Sequence, residues 1–409
     1  MGSEMCIRDR SLESASHSLD ELHCTVVMAI SKTQRKQLQA TADAFNAHFS
    51  KAYGAERWEH LRARLVEPTE HAALINAYVP SAEIDRALLA DAPEPNMYEL
   101  LRLPPVPTSA SSAKNQVPTR LLCLKRRTDH SQAYHSGRPF PPPRPAAASD
   151  PQQRLYTHWN LDGASVLAAQ CLDVQPGHAV LDLCAAPGGK SITLAQKLWP
   201  ELYADHPSRT STTHASILHS NEVDPARLRR LHANLKSYLP NTLMDQGLVE
   251  ISRIDATSPR AVQLFPLGEE GYDRILLDAP CSSERHILHA YMRAQQSGTA
   301  APEMLAWKPT MSRSMSKTQL ALLRTAWAAL RPGGRLVYAT CSLSEQENDH
   351  VVRAFLTSTP EAHVLRTDSL VHFCQQTEYG YFALPDYMIP GTEQRSPWGP
   401  LYFCMLEKP

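Results

Sequence analysis

Short apolar runs alternate with helix-like stretches over the second half of the chain. Five runs have strand length and end in small or polar residues: 179–183, 217–222, 248–252, 274–278 and 335–339. Helical spacing predicts five helices around them, over 163–172, 189–198, 225–238, 317–330 and 345–356. Two apolar runs near the end predict closing strands, at 380–385 and 399–406. This alternation is typical of a parallel sheet between helices, with the strand ends meeting at one crevice.

The first third of the chain has a different pattern. Apolar residues recur every three or four positions from Phe45 to Ile75, so we expect a helical accessory region over 31–103. Residues 104–154 are rich in proline and carry eight Lys and Arg but two acids between Lys114 and Arg154. This composition predicts either a flexible insert or a basic arm that binds a phosphate backbone. A flexible arm that becomes ordered on RNA would agree with both interpretations. Residues 203–215 form a second, polar insert.

Composition narrows the class of protein. The 409 residues carry a net charge of -1, so any nucleic-acid surface must be a local patch. Nine scattered cysteines without metal-type pairs indicate a reducing compartment and no metal. No apolar run reaches the roughly 18 residues that span a membrane, so we expect a soluble protein. Residues 1–30 have the composition of an uncertain or non-native N-terminus. The basic stretch after Met28 predicts either an organelle-targeting segment or the first helix of the domain.

A glycine turn follows the first strand of the alternating region. Gly188 and Gly189 allow close backbone approach to a ligand, and the next helix offers free N–H groups. A Walker loop requires glycine where Cys184 stands, and the adjacent glycines do not match the dinucleotide fingerprint. A P-loop nucleotide hydrolase therefore remains only a rival interpretation. The other candidate binding residues of this turn are Ala185, Ala186, Pro187 and Lys190.

Acidic residues end the next two strands. Glu222 has the position of an acid that binds the ribose hydroxyls of a nucleotide-like cofactor. Asp224 is an alternative as the cap of the next helix, and Arg227 either supports the site or faces water. Asp255 is a candidate for the adenine amino group.

Two cysteines carry the strongest chemical signal. Cys281 and Cys341 each lie just beyond a predicted strand, in Asp-Ala-Pro-Cys-Ser and Thr-Cys-Ser. Neighbouring parallel strands lie about 4.8 Å apart, so both thiols should meet on the ligand-binding rim. Structural cysteines would instead lie within the strands.

Three segments together resemble the Nop/Sun-domain family of RNA cytosine-5 methyltransferases: 182–190, 278–282 and 340–342. The resemblance covers roughly 41–90 and 155–409. The segments 45–54, 285–289 and 399–404, with Trp58, are most similar to the mitochondrial members that act on ribosomal or transfer RNA. The inserts 104–154 and 203–215 depart from that pattern.

This resemblance implies a doubly wound, mostly parallel, seven-stranded Rossmann-like methyltransferase domain over 155–409. It implies S-adenosylmethionine as methyl donor, with Gly188, Gly189 and Lys190 at its amino-acid end. Glu222, supported by Arg227, would hold the ribose and Asp255 the adenine. Asp278 would lie where the cofactor meets the target base. The turn residues from Cys184 to Pro187 complete the cofactor set, although Cys184 is better explained by packing than as a third catalytic thiol.

Carbon 5 of cytosine is a poor nucleophile, and a thiolate that adds to carbon 6 activates it. Spacing alone leaves the choice of thiol open, because DNA cytosine methyltransferases attack from a Pro-Cys motif, which would favour Cys281. The resemblance implies that Cys341 attacks and Cys281 releases the product. Asp278, with a raised pKa in a dry pocket, is the candidate acid on the base. Lys190 completes the catalytic set.

The expected substrate is organellar ribosomal RNA, with transfer RNA as the second choice. A ribosome-assembly protein is an expected partner by analogy, and the mitochondrion is the expected compartment. The non-enzymatic alternative is an RNA-binding assembly factor with a degenerate site, which the intact Lys190, Asp278, Cys281 and Cys341 disfavour.

Overall fold

The computed structural model describes residues 31–89, 97–105, 121–127, 140–147, 154–206, 216–268 and 270–409. The α-helices within these ranges are α1 Lys32–Tyr53, α2 Ala55–Val66, α3 Ser81–Leu89, α4 Gly163–Cys171, α5 Gly189–Leu198, α6 Pro225–Tyr238, α7 Asn241–Asp245, α8 Ala261–Leu264, α9 Glu284–Ser297, α10 Pro302–Ala306, α11 Met311–Ala329 and α12 Asp349–Ser358. The strands are β1 His71–Ile75, β2 Tyr98–Leu100, β3 Cys123–Arg126, β4 His158–Asp162, β5 Ala179–Asp182, β6 Ile217–Asn221, β7 Val249–Ser252, β8 Tyr272–Asp278, β9 Leu330–Thr340, β10 His363–Leu365, β11 Gln375–Gln376, β12 Tyr381–Ala383 and β13 Leu401–Glu407.

The larger sheet has nine strands, in the order β11-β12-β13-β9-β8-β5-β6-β7, with β10 also paired to β13. The five strands from β9 to β7 run parallel, whereas β13 pairs antiparallel with β9. The chain order reverses between β5 and β8. In an open α/β sheet this reversal opens a crevice beyond the strand ends, where ligands bind.

Burial explains why the central strands are largely apolar, although β8 also buries the polar residues Asp273 and Arg274. β8 lies between β5 and β9, and only its last residue, Asp278, is not fully buried. Strands covered on both faces need apolar residues on both, so they read as continuous runs rather than as alternation. The expected doubly wound fold is confirmed, but the sheet has nine strands rather than seven, because the short strands β10 and β11 add to the antiparallel side.

The region 31–103 is not purely helical, so that expectation is wrong in part. Residues His71–Ile75 form β1, which pairs antiparallel with β3 and β4 in a four-stranded sheet completed by β2. A five-residue apolar run is too short for its periodicity to distinguish strand from helix. Its partner β4 lies more than eighty residues later, which local spacing cannot reveal.

The expected flexible insert over 104–154 also contains ordered structure. Cys123–Arg126 forms β3, the bridge between β1 and β2, and Phe140 is fully buried. Pro145 makes an isolated β-bridge with Tyr156. The expectation for 106–120, 128–139 and 148–153 lies outside the described residues, as do residues 1–30 and most of the 203–215 insert.

The helices α1 and α2 pack on the large domain through an aromatic cluster. Phe45 and Phe49 of α1 contact Trp58 of α2, and the Phe45 ring lies 5.0 Å from that of Trp307. All four side chains are buried. Among the helices described, none has both the length and the apolar character needed to cross a membrane.

Candidate active site

The two predicted thiols meet at the ends of neighbouring parallel strands. β8 and β9 pair from Arg274 with Arg335 to Asp278 with Ala339, so the turns that follow them start side by side. The Sγ atoms of Cys281 and Cys341 lie 3.0 Å apart, and the side chains are only 7% and 4% exposed. Neither cysteine is in a disulfide. The expectation that the fold would bring these two thiols close together is therefore correct.

The surroundings make the two thiols chemically different. A hydrogen bond from Cys281 lowers the pKa of Cys341, although burial opposes this, and Ser283 Oγ, 3.3 Å from its sulfur, lowers it further. The same contact with Cys341, together with burial, raises the pKa of Cys281 well above its ordinary value. The thiolate is therefore favoured on Cys341, with the proton retained by Cys281.

An ion pair lies beside the thiols. Lys190 Nζ donates to Asp278 Oδ2 at 2.8 Å, with the lysine side chain 3% and the carboxylate 20% exposed. Lys190 comes from the first turn of α5, and Asp278 ends β8. The dry pocket expected for Asp278 is not found, because its side chain is 20% exposed, and Lys190 contacts the carboxylate directly.

Side chains of α6 hold the glycine turn in place. Ala186 O accepts from Arg227 Nη2 at 2.7 Å, and Pro187 O accepts from Asn234 Nδ2 at 2.8 Å. Gly188 has a φ of +121°, which an L side chain rarely adopts, and its ideal Cβ would lie 3.3 Å from Leu231. Gly188 is also the residue before α5, so no side chain caps this helix start.

Glu222 has the features expected of a ribose ligand. Its side chain is 3% exposed, and Oε1 accepts from the Asp224 N–H at 2.9 Å. Oε2 is buried without a hydrogen bond among the described residues, and Arg227 Nη2 lies 3.4 Å away. A buried carboxylate oxygen with unused acceptor capacity fits a ligand hydroxyl. Asp224 separately caps α6 by accepting from the N–H groups of Ala226 and Arg227, so that interpretation is confirmed, whereas the ribose role of Glu222 stays a prediction.

Two of the candidate cofactor-binding residues, Asp255 and Cys184, have surroundings different from those of Glu222 and the glycine turn. Asp255 is exposed after β7, and its Oδ1 accepts from the N–H and hydroxyl of Thr257, which lower its pKa. Its role toward adenine stays a prediction. Cys184 packs against the core, and burial raises its pKa strongly, as a packing residue requires. Ala185 and Ala186 are buried beside it, and the Ala185 N–H donates to Asn221 O at 2.8 Å.

Sequence reasoning missed a buried polar cluster behind the thiols. Its members are Ser282, Glu284, Gln319, Ser342 and Glu347, each at most 8% exposed. The available signal was the serine that follows each cysteine. The two glutamates gave no signal, because an acid near a helix start normally reads as a solvated residue.

Comparisons with known proteins identify the family of this chain. The family model described as 16S rRNA methyltransferase RsmB/F matches residues 169–397. A mitochondrial tRNA (cytosine(34)-C(5))-methyltransferase of Danio rerio is 30% identical, over 97% of this chain and 95% of its own. The 5-cytosine rRNA methyltransferase NSUN4 of Bos taurus is 28% identical, over 88% and 87%.

A solved structure shows the same fold. A methyltransferase homologue from Pyrococcus horikoshii superposes with a TM-score of 0.51 at 19% identity, covering 93% of this chain and all of its own. The P-loop hydrolase alternative is wrong, since the family match is to methyltransferases. The chain belongs to the RsmB/F family and is an S-adenosylmethionine-dependent RNA cytosine-5 methyltransferase.

Proposed function

We propose that this enzyme methylates cytosine through a covalent bond between Cys341 and the base, and that Cys281 serves product release. The observation that carries the proposal is the 3.0 Å contact between the two sulfurs at the rim of the sheet. The lowered pKa of Cys341 and the raised pKa of Cys281 favour this assignment over the reverse. A Pro-Cys nucleophile, as in the DNA enzymes, would require the opposite polarity.

The chemistry follows from that polarity. The Cys341 thiolate adds to carbon 6 of cytosine, and the electron pair of the 5,6 double bond makes carbon 5 nucleophilic. When bound, S-adenosylmethionine supplies an electrophilic methyl group for carbon 5. The carbon-5 proton then passes to water, the double bond reforms, and the bond from carbon 6 to sulfur breaks, which returns the Cys341 thiolate. Cys281, 3.0 Å from that sulfur, is the nearest thiol that can assist the last step.

The ion pair has a positioning role in this scheme. Lys190 is nearly fully buried and fixes the Asp278 carboxylate at 2.8 Å. We assign Asp278 to hold the exocyclic amino group and ring nitrogen edge of the target base, with Lys190 setting its orientation. Proton transfer to the base would then occur at this pair.

The residues of the crevice fit the methyl donor. The uncapped start of α5, with Gly188 and Gly189, suits the carboxylate of the methionine part, because free helix N–H groups bind anions. The open acceptor at Glu222 Oε2 suits a ribose hydroxyl. The adenine would lie toward Asp255.

A basic cleft of about 1130 Å³ supports single-stranded RNA as the substrate. Seven Arg and Lys but only four Glu line it, a local excess of positive charge on a chain whose net charge is -1. Lys125 and Arg126 come from β3, and Arg285 lies in the first turn of α9, four residues after Cys281. Leu100 and Met388 add exposed apolar surface for unstacked bases.

The preferred substrate is organellar ribosomal RNA, and the preferred compartment is the mitochondrion. NSUN4 of Bos taurus is named as an rRNA enzyme, and the Danio rerio relative as a mitochondrial tRNA enzyme. Transfer RNA is therefore the second candidate, and a ribosome-assembly protein that delivers the RNA fits the first. A catalytically inactive assembly factor is the remaining alternative, and it would not need an intact thiol pair.

Trapping tests the mechanism. Wild type, Cys281→Ala and Cys341→Ala are incubated with organellar RNA and S-adenosylmethionine, separated on a denaturing gel, and the attached RNA is sequenced. We expect a covalent adduct in Cys281→Ala and no methyl transfer by Cys341→Ala, because only Cys341 forms the bond and Cys281 helps to break it. The sequenced RNA would identify the substrate.

Two outcomes would contradict the proposal. An adduct formed by Cys341→Ala instead of Cys281→Ala would exchange the roles of the thiols. RNA bound by all three proteins without any adduct or methylation would favour the assembly factor. Cys404→Ala, which removes a buried thiol of β13 away from the crevice, is the control for nonspecific effects of cysteine loss.

A further inference from the structure

Two buried carboxylates join the loops that carry the thiols. Glu284 and Glu347 are both 0% exposed, and neither forms an ion pair with a Lys or Arg within the described ranges. Ser282, next to Cys281, and Ser342, next to Cys341, have their hydroxyls 2.9 Å apart between these carboxylates. Buried charges without a cation are costly, so the hydrogen bonds must account for them.

Glu347 has the contacts of an ionised carboxylate. Its Oε1 accepts from Ser342 Oγ at 3.0 Å and contacts Ser282 Oγ at 2.5 Å. Its Oε2 accepts from the Ser282 N–H at 3.1 Å and from Gln319 Nε2 at 2.8 Å. Both carboxylate oxygens thus accept hydrogen bonds from surrounding donors, and neither oxygen faces an acceptor to which a proton of its own could be donated.

Glu284 has a different set of contacts. Its Oε2 accepts the Leu343 N–H at 2.8 Å, and its Oε1 contacts Ser282 Oγ. Burial and the nearby Glu347 raise the pKa of Glu284 to about 7. The other titratable groups that face the pair are Tyr53 of α1, which donates to Leu343 O, and Tyr338 of β9, which donates to Glu347 O. Cys281 also faces the pair, and the charge of Glu347 helps to raise its pKa.

The two serine hydroxyls do not have enough hydrogens for the contacts they make with the two carboxylates. Four oxygen–oxygen contacts link the two hydroxyls and two carboxylates: Ser282 with Glu284, Ser282 with Glu347, Ser282 with Ser342, and Ser342 with Glu347. The hydroxyls supply two hydrogens. A protonated Glu284 donates to Ser282 Oγ, so that both hydroxyl hydrogens can point to Glu347, and three of the four contacts then contain a hydrogen. Only the contact between the two serine hydroxyls contains none.

We propose that Glu284 and Glu347 hold one shared proton, resident on Glu284, and with Ser282 and Ser342 form a bracket that sets the distance between the two thiols. Glu347 bonds to the Cys281 loop through Ser282 and to the Cys341 loop through Ser342. Glu284 repeats this link through Leu343. These are positioning residues, and the proposal rests on the proposed roles of the thiols.

The bracket predicts an asymmetry between two matched variants. Glu284→Gln reproduces a neutral acid, because its amide can accept from Leu343 and donate to Ser282. Glu347→Gln places an NH₂ group among donors and breaks the bracket. The pH profile of Cys341 alkylation by iodoacetamide, followed by peptide mass spectrometry without RNA or cofactor, tests this directly. In Glu347→Gln the thiols are no longer held together, so the hydrogen bond from Cys281 that lowers the pKa of Cys341 weakens. We therefore expect the midpoint of the alkylation profile to rise by at least about one pH unit, which is a tenfold loss of alkylation rate at any pH below the midpoint.

Glu284→Gln should keep the midpoint and alter the pH dependence of stability. Since the pKa of Glu284 is raised to about 7 in the folded state, its proton stabilises the fold at low pH, and this contribution declines as the pH rises from about 4.5 to 7. Thermal unfolding of wild type should show that decline, and Glu284→Gln should lack it. Glu345→Gln, an exposed acid of the same turn, is the control.

Equal alkylation profiles for the two Gln variants, or an unchanged profile in Glu347→Gln, would overturn the bracket. If Glu347→Gln does not fold, Ser282→Ala takes its place and should raise the alkylation midpoint by a smaller amount. An unchanged midpoint in folded Ser282→Ala would refute the bracket. Because these measurements need no RNA, they remain informative if the trapping experiment fails. A successful trap with indistinguishable Gln variants would refute the bracket alone.

Discussion

At the scale of single residues, the environment turns two identical side chains into different reagents. Cys281 and Cys341 follow equivalent strands and are similarly buried, yet the pKa of Cys281 is raised and the pKa of Cys341 is lowered. The direction comes from their mutual hydrogen bond and from Ser283 near Cys341. A sequence motif lists the thiols but contains none of these distances.

The open acceptor at Glu222 leads to a prediction about the cofactor. Glu222→Gln removes the charge that faces the ribose site, and a hydrogen bond to a charged group contributes about 1.5–3 kcal/mol. We expect S-adenosylmethionine to bind about 10- to 150-fold more weakly, measured by titration calorimetry. Glu250→Gln, a half-exposed acid on β7, is the control and should bind normally. Unchanged affinity in Glu222→Gln would remove Glu222 from the site.

At the scale of elements, close packing decides where helices can begin. α4 begins at Gly163, where an added Cβ would lie 2.4 Å from the indole of Trp398. The Asp162 carboxylate caps α4 and also accepts the Gly399 N–H, so this point ties β4, α4 and the segment before β13 together. Helix propensity alone would favour alanine at this position.

Gly163→Ala should therefore destabilise the protein although it raises helix propensity. We expect a loss of about 1–3 kcal/mol from overpacking, measured by urea unfolding. In a Trp398→Leu background the ring is absent, and the same substitution should cost much less, as a double-mutant cycle would show. An equal cost in both backgrounds would exclude the contact with Trp398 as the cause.

At the scale of the whole molecule, charge distribution matters more than net charge. The chain is nearly neutral, yet the basic cleft concentrates cations from β3, α9 and the segment before β13. Phosphate contacts release counterions, so binding through such a cleft depends strongly on salt. The sequence composition predicted only that any such surface would be local.

Arg102 and Arg395 of the basic cleft should contribute to RNA binding through phosphate contacts. Each Ala variant should weaken binding to the RNA recovered by trapping, and should make the slope of log affinity against log salt less negative by about 0.7. Filter binding across salt concentrations measures both. Arg86→Ala, an exposed arginine of α3 paired with Glu83, is the control. Slopes equal to the control would exclude the cleft as the RNA path.

The sequence by itself determined the five parallel strands of the large domain, the helices α4, α5, α6, α11 and α12, the glycine turn, Glu222 and the two thiols, but not the helices α7 to α10. These are local signals: apolar runs set by burial on both sheet faces, and small or polar residues where each strand ends. Helix α6 spans the predicted residues, and its start could be predicted because Pro225 and its cap Asp224 are adjacent in the chain.

Only the tertiary structure decided how these parts work together. β1 and β3 escaped prediction because each is stabilised by partners far along the chain. The same is true of the Lys190–Asp278 ion pair and of the bracket of Glu284 and Glu347, which join residues 88 and 63 positions apart. Hydrogen-bond geometry and burial exist only after folding, and they lower the pKa of Cys341 and raise those of Cys281 and Glu284.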